Sequence, residues 1–112
     1  MPIDTSKVKK LIQENLKQIH TVRDLAERLR VSPETLRKDF SRKERVALSR
    51  YVIHAKIEEM KRRLATTDDR CFEICYDVGF QREDTGAKVF KRLTGRSMEE
   101  FRTRCGNGKR RG

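Results

Sequence analysis

Apolar residues recur along this chain at intervals of three and four, and almost nowhere in alternation. That period predicts helices and no sheet. Val8, Leu11, Ile12, Leu16 and Ile19 form one stripe, predicting a helix from about Ser6 to Gln18. Thr21 and Asp24 have the spacing of a capping pair, opening a short helix through about Leu29. Ser32-Pro33 then supplies an N-cap and a proline at the first helical position. The helix it opens is expected to run to about Lys43, with Leu36 and Phe40 inward. A longer helix follows from about Ser49 to Ala65, where Tyr51, Ile53, Ala55, Ile57, Met60 and Leu64 make an apolar surface wide enough for two neighbours.

Thr66-Thr67-Asp68-Asp69 breaks that helix and offers a new N-cap. Cys71, Ile74, Cys75 and Val78 carry the next short helix, closed by Gly79. A sixth helix is expected over about Glu83 to Leu93, with Val89, Phe90 and Leu93 inward and Gly95 closing it. Ser97 with Glu100 reads as a capping box for a seventh, which carries Phe101.

Within this series one unit occurs twice. DLAERLRVSPETLRKDF, Asp24 to Phe40, is echoed by EICYDVGFQREDTGAKVF, Glu73 to Phe90. Each copy is a short helix, a tight turn and a second helix that starts on polar residues. A helix-turn-helix of this kind places its second helix in the DNA major groove. In the first copy Leu36 and Phe40 anchor that helix, leaving Glu34, Thr35, Arg37, Lys38 and Arg42 outward. In the second, Val89 and Phe90 anchor it, leaving Arg82, Glu83, Asp84, Thr85 and Lys88 outward. Arg and Lys suit the O6/N7 edge of guanine, and Glu can accept from cytosine N4. A connecting helix of about 17 residues makes a strut of about 25 Å. Such a strut would let the two recognition helices sit about 34 Å apart, one turn of duplex.

Composition narrows the partner. The 112 residues leave room for one domain, or for two small ones sharing an element. Twenty-eight Lys+Arg against 17 Asp+Glu give a formal charge of +11, which calls for a polyanion. Nucleic acid is favoured over membrane, because no single helix sets a broad apolar face against a basic one. Three cysteines, Cys71, Cys75 and Cys105, with no signal peptide and no 18-residue apolar run, suggest a reduced cytoplasmic, nucleoid-associated setting. Cys71 and Cys75 share a helix face that could hold a metal or a redox pair. They also share the apolar stripe of Ile74 and Val78, and no His or acid stands at ligand spacing, so neither metal nor cofactor is expected. His20 and His54 lack catalytic partners, and the chain reads as no enzyme. The tail Gly106–Gly112 reads as flexible and basic.

From Thr21 to Arg102 the chain resembles the DNA-binding domain of AraC/XylS-type bacterial transcription regulators. The carriers in the first part are Asp24-Leu25-Ala26, Ser32, Leu36, Phe40 and Tyr51-Val52. In the second they are Glu73-Ile74-Cys75, Val78-Gly79-Phe80, Val89-Phe90-Lys91, Gly95 and Phe101-Arg102. The block from Ile74 to Phe80, with Phe90-Lys91 ten residues on, is the most specific of these. The resemblance implies two helix-turn-helix subdomains joined by a linker helix and bound to consecutive major grooves, with RNA polymerase as a further candidate partner. Departures are Gly86 where the family buries a large apolar residue, Cys75 where alanine is usual, Arg45 where glycine is frequent, and Met98 for proline. Gly86 is expected to cost about 1 kcal/mol of helix propensity and some core contact. Glu83 and Asp84 favour the helix dipole but repel phosphate, which predicts weaker DNA binding by the second unit.

The expectation is therefore an all-α chain of about seven helices. It would comprise a first helix-turn-helix subdomain over 1–48, a linker helix over 49–66, a second subdomain over 67–105 and a tail over 106–112. It is expected to act as a monomer that binds double-stranded DNA sequence-specifically and regulates transcription. The rival expectation is a nonspecific architectural DNA-binding protein, marked by a steep salt dependence with little sequence discrimination.

Overall fold

The computed structural model describes residues 4–19 and 21–105. Helix α1 spans Thr5–Glu14 and is followed by a 3-10 turn at Leu16–Gln18. Helices α2 (Val22–Leu29), α3 (Pro33–Glu44), α4 (Leu48–Thr66), α5 (Cys71–Asp77), α6 (Glu83–Thr94) and α7 (Met98–Arg104) complete the series. No strand occurs among the described residues. His20 and the basic tail lie outside them.

The chain divides between Ala55 and Lys56, inside α4, into two compact units. In the first, Val8, Ile12, Leu25, Leu36 and Phe40 are fully buried, with Leu48 and Val52 from the start of α4. Here α2 packs on α3, and α1 also lies against α3. In the second, Ile57, Met60 and Leu64 from the rest of α4 are buried, as are Ile74, Cys75, Val78, Phe90 and Met98. Here α5 packs on α6, and α6 on α7. Each half of α4 is thus a wall of its own unit's core.

Local chemistry sets the helix ends. Asp24 N donates to Thr21 Oγ1 at 3.3 Å while Thr21 N donates to an Asp24 carboxylate oxygen at 3.0 Å, the reciprocal box that the spacing predicts. Ser97 and Glu100 repeat it at the start of α7, with 2.8 and 3.1 Å bonds.

Helix ends and faces depart from expectation in three places. The first helix stops at Glu14 rather than running to Gln18. Asn15 leaves helical geometry at φ −133° and its amide donates to Leu11 O at 3.0 Å. An Asn side chain competes in this way for backbone groups and so ends helices. The cap of α5 comes from neither threonine nor aspartate: Arg70 holds the cap position, and its N–H donates to Glu73 Oε1 at 2.9 Å. Leu93 is 43% exposed, not inward. It lies in the last turn of α6, at the edge of a stripe centred on buried Gly86 and Phe90 that leaves Val89 half-buried.

Candidate nucleic-acid interface

Helix α3 is held from below and free above. Ser32 Oγ accepts from Thr35 N at 3.1 Å and Pro33 fills the first position, so its amino end is closed by its own sequence. Leu36 and Phe40 are fully buried, and the Phe40 ring meets Tyr51 edge-on at 5.3 Å between centroids. A Lys9–Glu44 ion pair at 2.7 Å fastens the end of α3 to α1. The lysine's hydrogen bond holds the Glu44 carboxyl below its ordinary range. Glu34, Thr35, Arg37, Lys38 and Arg42 are all exposed, as their spacing predicts. Arg37, Lys38, Ser41 and Arg42 also border an open concavity whose other wall is Ala47, Leu48 and Ser49. Arg42 stays 77% exposed despite a loose 3.8 Å pairing with Asp39.

Helix α6 has the same plan with different parts. Phe90 is fully buried and meets Phe101 of α7 edge-on at 5.5 Å. Arg82, Glu83, Asp84, Thr85 and Lys88 are exposed, again as expected. No side chain caps α6 at Arg82. Instead Arg82 Nε and Nη2 donate to the two carboxylate oxygens of Asp84 at 3.0 and 3.2 Å. The arginine's hydrogen bonds hold the Asp84 carboxyl below its ordinary range. The acidic start of this helix is therefore partly neutralised within its own first turn.

Gly86 does not leave the hole that the sequence suggests. A Cβ built on it would lie 2.8 Å from Cys75 Sγ and 3.1 Å from the Phe80 ring. The Cys75 sulfur occupies the room that a larger residue at 86 would need. Burial pushes the Cys75 thiol up to about 11, so it is a packed apolar group at neutral pH. Cys71 is half-buried and Cys105 exposed. Among the described residues no cluster of His, Cys, Asp and Glu could hold a metal ion. None of the described helices is long and apolar enough to cross a membrane.

Two further residues, Lys56 and Arg102, take positioning roles that the sequence alone did not assign them. Lys56 is 3% exposed, and its ammonium donates to Val78 O at 2.7 Å, pinning the turn between α5 and α6. Its position four residues from both Val52 and Met60, on a buried stripe, was the available signal. Arg102 reaches back to the end of α4, donating to Leu64 O at 3.2 Å and Thr67 O at 3.1 Å. No spacing rule marks a contact across that separation.

Backbone geometry adds to the internal repeat. Positive φ occurs at Arg30 (59°) and Gly79 (99°), and at Arg45 (61°) and Gly95 (82°). Arg30 and Gly79 each close the first helix of a pair, and Arg45 and Gly95 each close the second. The same left-handed step recurs in both units, with arginine in one and glycine in the other.

A tight helix-turn-helix pair built twice defines the class: a helix-turn-helix DNA-binding domain. Known proteins agree. A helix-turn-helix domain family matches residues 25–104. The chain is 28% identical over 96 residues to an uncharacterized helix-turn-helix-type transcriptional regulator, YdiP, of Escherichia coli (strain K12), covering 86% of this chain and 32% of that protein. It thus spans about a third of that relative's length. Its fold matches the DNA-binding domain of AdpA, a global transcriptional factor solved in complex with a target DNA, with TM-score 0.83, 23% identity and 96% of each chain covered. It also matches the C-terminal domain of the two-component response regulator YesN from Fusobacterium nucleatum, with TM-score 0.81, 23% identity and 88% of this chain against 96% of that one. The chain belongs to the AraC-type helix-turn-helix family of DNA-binding transcription regulators.

Proposed function

We propose that this chain reads double-stranded DNA sequence-specifically, with α3 and α6 each lying in a major groove. The observation that carries this is the two-faced build of α3. Leu36 and Phe40 are fixed in the core while Glu34, Thr35, Arg37, Lys38 and Arg42 stand exposed on the other side. A helix locked on one face and lined with forked or long polar groups on the other suits reading of base edges. The formal charge of +11 supplies the phosphate attraction that anchors it. Two such units in one chain would read two half-sites about one helical turn apart without needing a palindrome. The complex of the AdpA domain with its target DNA supports the same partner class here. A role beside RNA polymerase rests on family membership.

Selection of bound duplexes from a random pool tests this. The expected result is a motif of two half-sites about 10 base pairs apart, centre to centre. Arg37→Ala should then abolish preference at positions of one half-site only. A pool that stays random while binding remains tight and steeply salt-dependent would favour the architectural reading instead.

A further inference from the structure

The repeat distributes its guanidinium groups unequally. Aligned on their helices, Arg37 of α3 corresponds to Ala87 of α6, while Lys38 corresponds to Lys88. The first half of α6 therefore carries no arginine of its own, and the fork nearest to it is Arg82, at its cap position. Arg82 is not splayed into solvent. Its Nε and Nη2 sit on the two oxygens of Asp84, and Asp84 Oδ1 also accepts from Thr85 N at 2.9 Å. The carboxylate is thus tied to the first turn of the helix, and the guanidinium is tied to the carboxylate.

This arrangement uses two of the five guanidinium donors. The side engaged is the Nε edge. The Nη1 group and the outer hydrogen of Nη2 remain, and together they are the end-on fork that matches guanine O6 and N7. Arg82 keeps 76% of its side chain exposed, so this fork is open to an incoming base edge. A surface ion pair adds little to stability. It can still restrict a long side chain before DNA arrives, which removes part of the ordering cost from the binding step.

Resting on the reading that α6 lies in a groove, we infer that Asp84 is a positioning residue that holds Arg82 as a preorganised reader of one guanine in the second half-site. The acidic start of α6, which at first sight only repels phosphate, is then a specificity device. Asp84 trades some nonspecific attraction for discrimination at a single base.

The full 112-residue chain and its Asp84→Ala, Asp84→Asn and Arg82→Ala variants test this by site selection from a random duplex pool. Affinities on the selected duplex and on single-base variants of it follow. The wild type should prefer guanine at one position of one half-site, and Arg82→Ala should erase that preference. Asp84→Ala should cut guanine discrimination there by about 5- to 100-fold, the range of one bidentate base contact. Asp84→Asn, which keeps one acceptor and loses the charge, should fall between. Preference at the other positions should persist, and affinity for an unrelated duplex should stay within about two-fold or tighten, because a negative charge near phosphate has gone. Guanine discrimination that survives or sharpens in Asp84→Ala overturns the inference. Equal weakening at every position of that half-site also overturns it, since that is the mark of mere helix support. A preference that needs Arg82 but not Asp84 leaves α6 in the groove and removes only the positioning role. If Arg82→Ala, Thr85→Ala and Lys88→Ala all leave the motif unchanged, the placement of α6 itself fails, and the inference falls with it.

Discussion

Gly86→Ala is the substitution at which helix propensity and packing make opposite forecasts. Gly86 lies inside α6, where alanine should gain about 1 kcal/mol by propensity alone. The added Cβ, however, would stand 2.8 Å from Cys75 Sγ, 3.2 Å from Cys75 Cβ and 3.1 Å from the Phe80 ring. Retreat is hard for the sulfur: Cys75 is fully buried, and Sγ already lies 3.7 Å from Met98 Sδ. Overpacking of this kind costs about 1–3 kcal/mol. Packing should win, so Gly86→Ala is expected to lose about 1 kcal/mol net, roughly 4–8 °C in melting temperature for a unit of this size. Cys75→Ala alone removes the sulfur and leaves a void, for a loss of about 1 kcal/mol. Combined, the new methyl fills part of the space that the sulfur vacates, and the double variant should be no less stable than either single one. The coupling in the cycle should exceed about 1 kcal/mol, well beyond the 0.3–0.5 kcal/mol scatter of independent sites. Denaturant unfolding of the four proteins, followed by helical circular dichroism, measures it. Additive losses, or a Gly86→Ala protein stabilised by its full propensity gain, would refute the claim that sulfur and glycine share one space.

Three further outcomes follow from the same structure. Lys56→Met removes the donor to Val78 O and leaves that carbonyl buried without this ammonium, so thermal melting should show a loss of about 1–3 kcal/mol; an unchanged or raised melting temperature would contradict it. Arg45→Gly relieves a left-handed non-glycine residue at the end of α3 and should raise stability by up to about 1 kcal/mol, read by the same melt. Since burial raises the Cys75 thiol from 9.0 to about 11, its contribution is whole below pH 9 and is lost as pH rises through 11, because the unfolded chain ionises first. Melting temperature should therefore fall more steeply over that window in the wild type than in Cys75→Ala, and at pH 8 an alkylating reagent should label Cys105 well before Cys75.

The fold was legible mostly where a residue's role is local, although the stop at Asn15 and the Arg70–Glu73 cap are local and ran against expectation. Period, caps and breakers depend on neighbours within four positions, and so Thr21 with Asp24, Ser32 with Pro33, and Ser97 with Glu100 marked helix starts that the structure shows. The exposure of the ten candidate contact residues was legible for the same reason: a helix anchored at Leu36 and Phe40, or at Gly86 and Phe90, leaves its opposite face open. Other roles depended on distance. Lys56 lies on the buried stripe of α4, but it is the carbonyl of Val78, 22 residues on, that accounts for its burial. Arg102 likewise needs Leu64 and Thr67 for its meaning. The role of Gly86 also shows only beside Cys75, which lies on another helix.

That pair bears on how the two units differ. In the first unit the positions matching Cys75 and Gly86 are Ala26 and Leu36, both buried, a small residue on α2 and a large one on α3. The second unit inverts the order, with the larger side chain on α5 and none on α6. Total volume at such a junction is constrained by close packing, but its division between two helices is not. Volume can therefore move from the second helix of the pair to the first without loss of the core. A similar exchange operates at the left-handed turns, where Arg30 and Arg45 bear a steric cost that Gly79 and Gly95 avoid. The outer faces differ in kind as well, since α3 presents Arg37 and Lys38 directly whereas α6 presents Lys88 and a guanidinium leashed to Asp84. The two units thus keep one backbone plan while their side chains differ in packing and outer face, and on the proposed reading a target site with two unlike halves is what such a chain should select.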